Sequence, residues 1–240
     1  MKNETITCKC GIEILPSDSF LSEDGIEFCG KCYYADLSQK MRQAGIPAFH
    51  AMIREKVPPR FLTTDLEHPK FRAKAWEKIK LWRPTTHKPW LGLISPSGFC
   101  KSRMIYMLGE IIAVKMAMEK DHVTAEFVTA QEIKEIAMQQ FSGNPVHRDI
   151  WDNSPADAAR DRLASIRKCS ILIIDDMSKA RLTPAAAEEF FAVIDYRHSH
   201  NRTTLWTSNS TPMQIAACLP EDMAAPFAGR LIDCSEIYTL

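Results

Sequence analysis

Residues 90–103, WLGLISPSGFCKSR, constrain this chain more than any other segment. An apolar run gives way to a short turn, and the turn hands a Lys-Ser pair to a helix-forming stretch. That order suits a buried strand, a tight loop and a helix, in sequence. The loop fits the phosphate-binding pattern GxxxxGK[ST] with two substitutions. Gly98, Lys101 and Ser102 fit, while Ser95 and Cys100 stand where the pattern has glycine. In such a loop the backbone N–H groups of Ser97, Gly98, Phe99, Cys100, Lys101, Ser102 and Arg103 would surround a phosphate, helped by the N-terminus of the helix. Lys101 would reach the β- and γ-phosphates, and the Ser102 hydroxyl would bind Mg²⁺.

The chain around this loop alternates apolar runs with helical stretches. Strands are expected at 91–94, 125–129, 170–174, 203–207 and 231–238. Helices are expected at 101–120, 131–141, 155–168, 184–198 and 212–218. Strands alternating with helices of this kind mean a parallel sheet covered on both faces. ILII at 171–174 reads as a fully buried strand. Prolines at 155, 184 and 212 each fall near a helix start, where a missing N–H costs little. Residues 141–153 read as a long loop.

ILIIDDM ends the buried strand in two carboxylates. Asp175 would hold Mg²⁺ and Asp176 would orient or deprotonate an attacking water. TTLWTSNS brings Asn209 to the end of another strand, beside the γ-phosphate position. AGRLID places Arg230 just before the final strand, where a guanidinium would reach the phosphates of a neighbouring subunit.

VPPRF, the loop, ILIIDDM, the helix carrying Asp195 and Arg197, TSN and GRL occur in one order. That succession resembles the DnaC-like and IstB-like AAA+ ATPases, which are bacterial and phage helicase loaders and transposition helper ATPases. The resemblance covers about residues 57–240. It implies an α/β fold: an AAA+ P-loop NTPase core with a parallel five-stranded sheet flanked by helices. It implies ATP with Mg²⁺ at Lys101, Ser102 and Asp175, catalysis by Asp176 and Asn209, and self-association through Arg230. Arg197 matches a recurring arginine without an assigned role. The ten residues after Arg230 leave no room for a C-terminal helical lid.

Cys100 precedes the lysine where the family's glycine lets backbone and phosphate approach closely. A non-glycine residue in an unfavourable backbone region costs about 1–3 kcal/mol. The expectation is a working but slow ATPase. Ser95 is more tolerable, because the first position needs a turn more than a missing side chain.

Ahead of this core lie Cys8, Cys10, Cys29 and Cys32, spaced C-x-C, eighteen residues, C-x-x-C. Four thiolates suit tetrahedral Zn²⁺ in a closed structural site. Zinc binding, worth about 10–16 kcal/mol in small peptides, would hold together a segment too short for its own core. A redox role for CGKC would require a flanking strand–helix unit, which is not expected here. The domain reading is a zinc-binding segment at 1–35, a linker helix at 36–56 and the ATPase core at 57–240. A second helix is expected at about 69–82. Cys169, Cys218 and Cys234 read as small core residues.

Lys+Arg and Asp+Glu both number 30, which argues against a large non-specific nucleic-acid surface. The basic stretch at 70–88 reads as a solvated helix face. No run approaches the roughly 20 apolar residues of a membrane span. The N-terminus lacks a signal-peptide core, so a cytoplasmic location is expected. Trp151 and Trp206 read as packing residues, and His198 and His200 as cations at a helix end.

Three functions remain open. One is an ATP-dependent loader of a replicative hexameric helicase, gripping it through the N-terminal segment, with single-stranded DNA as a further partner. The second is a non-hydrolysing adaptor. The third is a transposase helper ATPase acting on duplex DNA.

Overall fold

The computed structural model describes residues 6–8, 10–14, 19–21, 27–62, 66–120, 122–140, 154–180 and 182–240. The chain begins with two small antiparallel hairpins. The first pairs β1 (Ile6–Thr7) with β2 (Glu13–Ile14), and the second pairs β3 (Ser19–Leu21) with β4 (Glu27–Cys29). A long helix α1 (Gly30–Lys56) follows, then the short α2 (Pro59–Leu62) and α3 (Ala73–Ile79). The remainder alternates: β5 (Trp90–Ile94), α4 (Lys101–Glu119), β6 (Ala125–Thr129), α5 (Ala130–Gln139), α6 (Pro155–Lys168), β7 (Ile171–Asp175), α7 (Pro184–Ser199), β8 (Thr203–Ser208), α8 (Pro212–Ala216), α9 (Glu221–Cys234) and β9 (Ser235–Thr239).

β5 to β9 form one five-stranded sheet in the order β6-β7-β8-β5-β9, and every pair is parallel. All five residues of β7 and all six of β8 are buried, as expected of a sheet covered on both faces. One face packs Leu172, Ile174 and Trp206 against α5, α6, α7 and α9; the other packs Leu91, Ile173 and Leu205 against α1 and α4. Helix α4 lies so close to the sheet that a Cβ on Gly109 would come within 2.6 Å of Ile173.

Local sequence explains most helix starts. Ser154, Thr183 and Thr211 each accept a backbone N–H through the side chain, and each is followed by the proline noted at 155, 184 or 212. Thr129 and Glu132 close a reciprocal capping box on α5.

Several expectations need correction. The final strand runs Ser235–Thr239, and residues 231–234 end α9 instead. That helix went unrecognised because Pro226 lies inside it and no side chain caps it at Pro220. Helix α1 starts at Gly30, six residues before the expected linker helix, so Cys32 is helical. β4 therefore meets α1 inside CGKC, although β4 belongs to an antiparallel hairpin rather than a βαβ unit. Finally, the helix expected at 69–82 spans only Ala73–Ile79, and Cys218 is exposed rather than core.

The loop read at 141–153, including Trp151, lies outside the described residues. Trp206 is fully buried and donates its indole N–H to Ser235 Oγ. His200 stacks on Tyr196 at the end of α7. Among the described residues no helix is long and apolar enough to cross a membrane.

Candidate functional site

The loop of residues 95–100 joins β5 to α4 at the C-terminal edge of the sheet, where open α/β sheets place their ligands. Ser95 extends the sheet, its N–H donating to Ser208 O at 3.2 Å. It takes no positive φ, so glycine is not required there. Gly98 and Cys100 do turn left-handed, at φ +91° and +59°. Cys100 therefore holds the backbone shape that favours glycine, at a cost of roughly 1–2 kcal/mol.

A cavity of about 370 Å³ opens above this loop. Ser97, Gly98, Phe99, Cys100, Lys101, Ser102 and Arg103 line it, together with Asp176 and Asn209. The residues expected to bind phosphate and two of those expected to act on it thus share one space. Lys101 is buried, and its ammonium donates to Ser95 O at 2.6 Å, Pro96 O at 3.0 Å and Asn209 Oδ1 at 2.8 Å. Burial lowers its pKa, and the nearby Asp176 and Asp175 only partly oppose this. Asn209 also donates to Ser97 Oγ at 3.3 Å, linking β8 to the loop.

Asp175 is 2% exposed at the end of β7. Its Oδ1 accepts from Ser102 Oγ at 2.9 Å and from Thr207 Oγ1. Burial raises its pKa, against the pull of those two hydroxyls. Asp176 sits one residue on in a left-handed turn, at φ +57°, its N–H held by Thr207 Oγ1 at 2.9 Å. Lys179 pairs with Asp176 Oδ2 at 2.6 Å.

The structure does not bring Arg230 to this cavity. It lies on α9, pairs with Asp195 of α7 and stacks over Phe191 at 4.8 Å. Arg197 is not at the site either. It is fully buried, donating to the carbonyls of Ile166, Arg167, Cys169 and Thr203 and to Thr204 Oγ1. Burial lowers its pKa to about 10. The recurring arginine is thus a structural tie between α6, α7 and β8.

Arg60, Phe61, His68 and Lys179 also line the cavity and were not foreseen as site residues. VPPRF was the available signal for the first two. Its Phe61 stacks on Tyr106 of α4 at 4.9 Å, which fixes α2 against α4. His68 and Lys179 had no signal, because loop residues reach the site through the fold alone. His68 Nδ1 lies 3.9 Å from Cys100 Sγ.

A second candidate site lies in the N-terminal hairpins. The sulfurs of Cys8, Cys10, Cys29 and Cys32 all lie within 4.8 Å of one another, and none is in a disulfide. Cys10 and Cys29 sulfurs are 3.8 Å apart. Zinc–sulfur bonds of about 2.3 Å in a tetrahedron give about 3.8 Å between sulfurs, so the donor set fits Zn²⁺. Gly11 turns the chain beneath Cys8 and Cys10 at φ +83°. The Cys8 thiol is lowered to about 6 by the backbone N–H groups of Cys10 and Cys29, while Cys32 is pushed up to about 12 by the sulfurs of Cys10, Cys8 and Cys29. Four sulfurs this close could all lose their protons only with a cation between them.

No family model matches the chain, and no curated protein matches it significantly. Solved structures do. The chain is similar to DnaI, at 20% identity and a TM-score of 0.50, over 73% of this chain and 87% of that one. It is similar to the DnaC helicase loader, at 16% identity and a TM-score of 0.54, over 76% and 99%. It is also similar to domain III of the Thermotoga maritima replication initiation protein DnaA, at 12% identity and a TM-score of 0.54, over 77% and 68%. At these identities the likeness is one of fold: the chain shares with these structures the α/β fold expected above, a parallel five-stranded sheet flanked by helices.

Proposed function

We propose that this chain is an ATP-binding helicase loader that delivers or remodels a replicative DNA helicase, with slow ATP hydrolysis. One observation carries the nucleotide half of this reading. Lys101, Ser102, Asp176 and Asn209 line a single cavity, with Asp175 bonded to Ser102 at its edge. These are the groups that position and neutralise a transferring phosphoryl group. Ser102 and Asp175 would hold Mg²⁺, which when bound neutralises charge on the β- and γ-phosphates. The loop N–H groups and Lys101 would bind the phosphates. Asp176 would take a proton from water, and Asn209 would orient that water.

The helicase half rests on fold likeness to the DnaC helicase loader together with the Cys₄ cluster ahead of the core. In this reading the segment 1–35, carrying zinc, and helix α1 grip the helicase. The core at 57–240 binds ATP and self-associates. Arg230 would leave Asp195 to reach the phosphates of a neighbouring subunit, and single-stranded DNA is a further partner.

One observation favours a non-hydrolysing adaptor as the second reading. Lys101 is saturated by the loop's own carbonyls and Asn209, an arrangement that a bound phosphate has to displace. Mg²⁺-dependent ATP binding and hydrolysis by wild type and Lys101→Ala separate the two. The loader reading expects binding and slow turnover in wild type and neither in the variant. Absence of both in both proteins would leave the adaptor. Capture of a hexameric helicase rather than a transposase tests the partner.

A further inference from the structure

The cavity contains a second lysine placed unlike the first. Lys101 is buried, with three acceptors on its ammonium. Lys179 is 57% exposed along its side chain and meets Asp176 through one ion pair of 2.6 Å. Its backbone N–H donates to Asp176 O at 3.0 Å, so a tight turn fixes the two residues together. The Asp176 backbone is anchored, its N–H donating to Thr207 Oγ1 at 2.9 Å. The longer and more exposed side chain of the pair is the lysine's, and both ends of the pair line the cavity.

An exposed ion pair of this kind contributes about 0–1 kcal/mol, so exchanging its partner costs little. A terminal phosphate carries more charge than one carboxylate and offers three acceptor oxygens. We propose that Lys179 senses the γ-phosphate. Without nucleotide its ammonium neutralises Asp176. A nucleoside triphosphate in the cavity takes the ammonium over, and the Asp176 carboxylate is left open to a water. A diphosphate ends short of Lys179 and leaves the pair closed. This inference rests on the nucleotide-binding reading above and assigns to that site a residue that selects triphosphate over diphosphate. It also links that selection to the freeing of the acid.

The test is calorimetric titration of the full chain, wild type and Lys179→Met, with ADP and with a non-hydrolysable ATP analogue, both in Mg²⁺. Wild type should prefer the triphosphate. Lys179→Met should bind ADP within about twofold of wild type and the analogue roughly tenfold more weakly, a change of about 1.4 kcal/mol. Lys179→Arg should keep the preference, since a guanidinium also pairs with phosphate. Melting curves without nucleotide should coincide, because an exposed side chain supports little of the fold. Equal weakening of both ligands, or no weakening of either, would overturn the role of Lys179 while leaving nucleotide binding intact. A wild type that binds neither ligand would overturn the nucleotide reading, and Lys179 with it.

Discussion

Ser102 Oγ and Asp175 Oδ1, from the start of α4 and the end of β7, are 2.9 Å apart and joined by a hydrogen bond. In the proposed nucleotide-binding role this hydroxyl and carboxylate would be the ligands of a divalent cation. The bond also helps a buried carboxylate stay ionised against the upward push of burial on its pKa. Ser102→Ala should weaken nucleotide binding in Mg²⁺ by at least about tenfold, or 1.4 kcal/mol. In EDTA the variant and wild type should bind alike. Titrations under both conditions read the difference, and equal loss under both would remove Ser102 from the metal site.

Cys100 holds φ +59° at the cap of α4. If the loop keeps that backbone throughout, the cost falls on folding rather than on binding. Cys100→Gly should change nucleotide affinity less than about threefold, under 1 kcal/mol. Cys100→Val should destabilise the chain by about 1–3 kcal/mol, because a β-branched residue suits a left-handed turn still less. Urea unfolding and nucleotide titration of the three proteins check both statements. A large affinity gain in the glycine variant would show instead that the loop rearranges on binding.

The core was legible where local chemistry is strong. Pro155, Pro184 and Pro212 mark three helix starts, and the apolar run at 171–174 marks the fully buried strand β7. Lys101, Ser102, Asp176 and Asn209 were legible because a strand end followed by a turn places polar groups on one edge of a parallel sheet. What escaped was set by tertiary contact. Arg230 is drawn onto α7 by Asp195 and Phe191, which no local pattern encodes. Pro226 disguised α9, since only packing against α7 and α8 holds a helix through a proline. Arg197 carried a motif without a role because most of its partners are backbone carbonyls, invisible in side-chain sequence.

Glu126 of β6 ties three elements together. It accepts from Arg162 and Ser165 of α6 and from Lys56 at the end of α1. Burial alone would raise its pKa, but Arg162 and Lys56 outweigh burial and hold it below the ordinary value of 4.5. A depressed carboxylate stabilises the fold above its unfolded pKa and loses that effect as pH falls through the folded value. Glu126→Gln should cost about 2 kcal/mol at pH 7. The gap between wild type and variant should stay constant down to about pH 5 and close below 4.5. Denaturant unfolding across that range reads the gap directly.

The Cys₄ cluster should bring one zinc per chain, measured by elemental analysis of purified protein. Zinc needs deprotonated sulfur, so its retention should fall with acid as the thiols are reprotonated. Cys8→Ser removes the buried member of the set and should lower zinc content well below one. Chelation should expose the N-terminal hairpins to protease while nucleotide binding by the sheet persists, since the two sites share no residue. Stoichiometric zinc retained in the serine variant would contradict a four-sulfur site.

Arg197 is fully buried, and its guanidinium donates to four carbonyls, one hydroxyl and the Cys169 sulfur. Three of those carbonyls, from Ile166, Arg167 and Cys169, belong to the end of α6, where helical carbonyls lack partners of their own. Arg197→Met fills a similar volume but leaves these acceptors dry, so it should destabilise the protein by about 3–5 kcal/mol. Arg197→Lys should recover only part of the loss, because one ammonium cannot reach α6 and β8 in the planar spread that a guanidinium spans. Neither variant touches the cavity above the loop, so the fraction that remains folded should keep the wild-type nucleotide affinity that the proposed function expects. Urea midpoints together with titration of the folded protein distinguish this structural role from a part in catalysis. A variant of unchanged stability and lost turnover would place Arg197 in the mechanism instead.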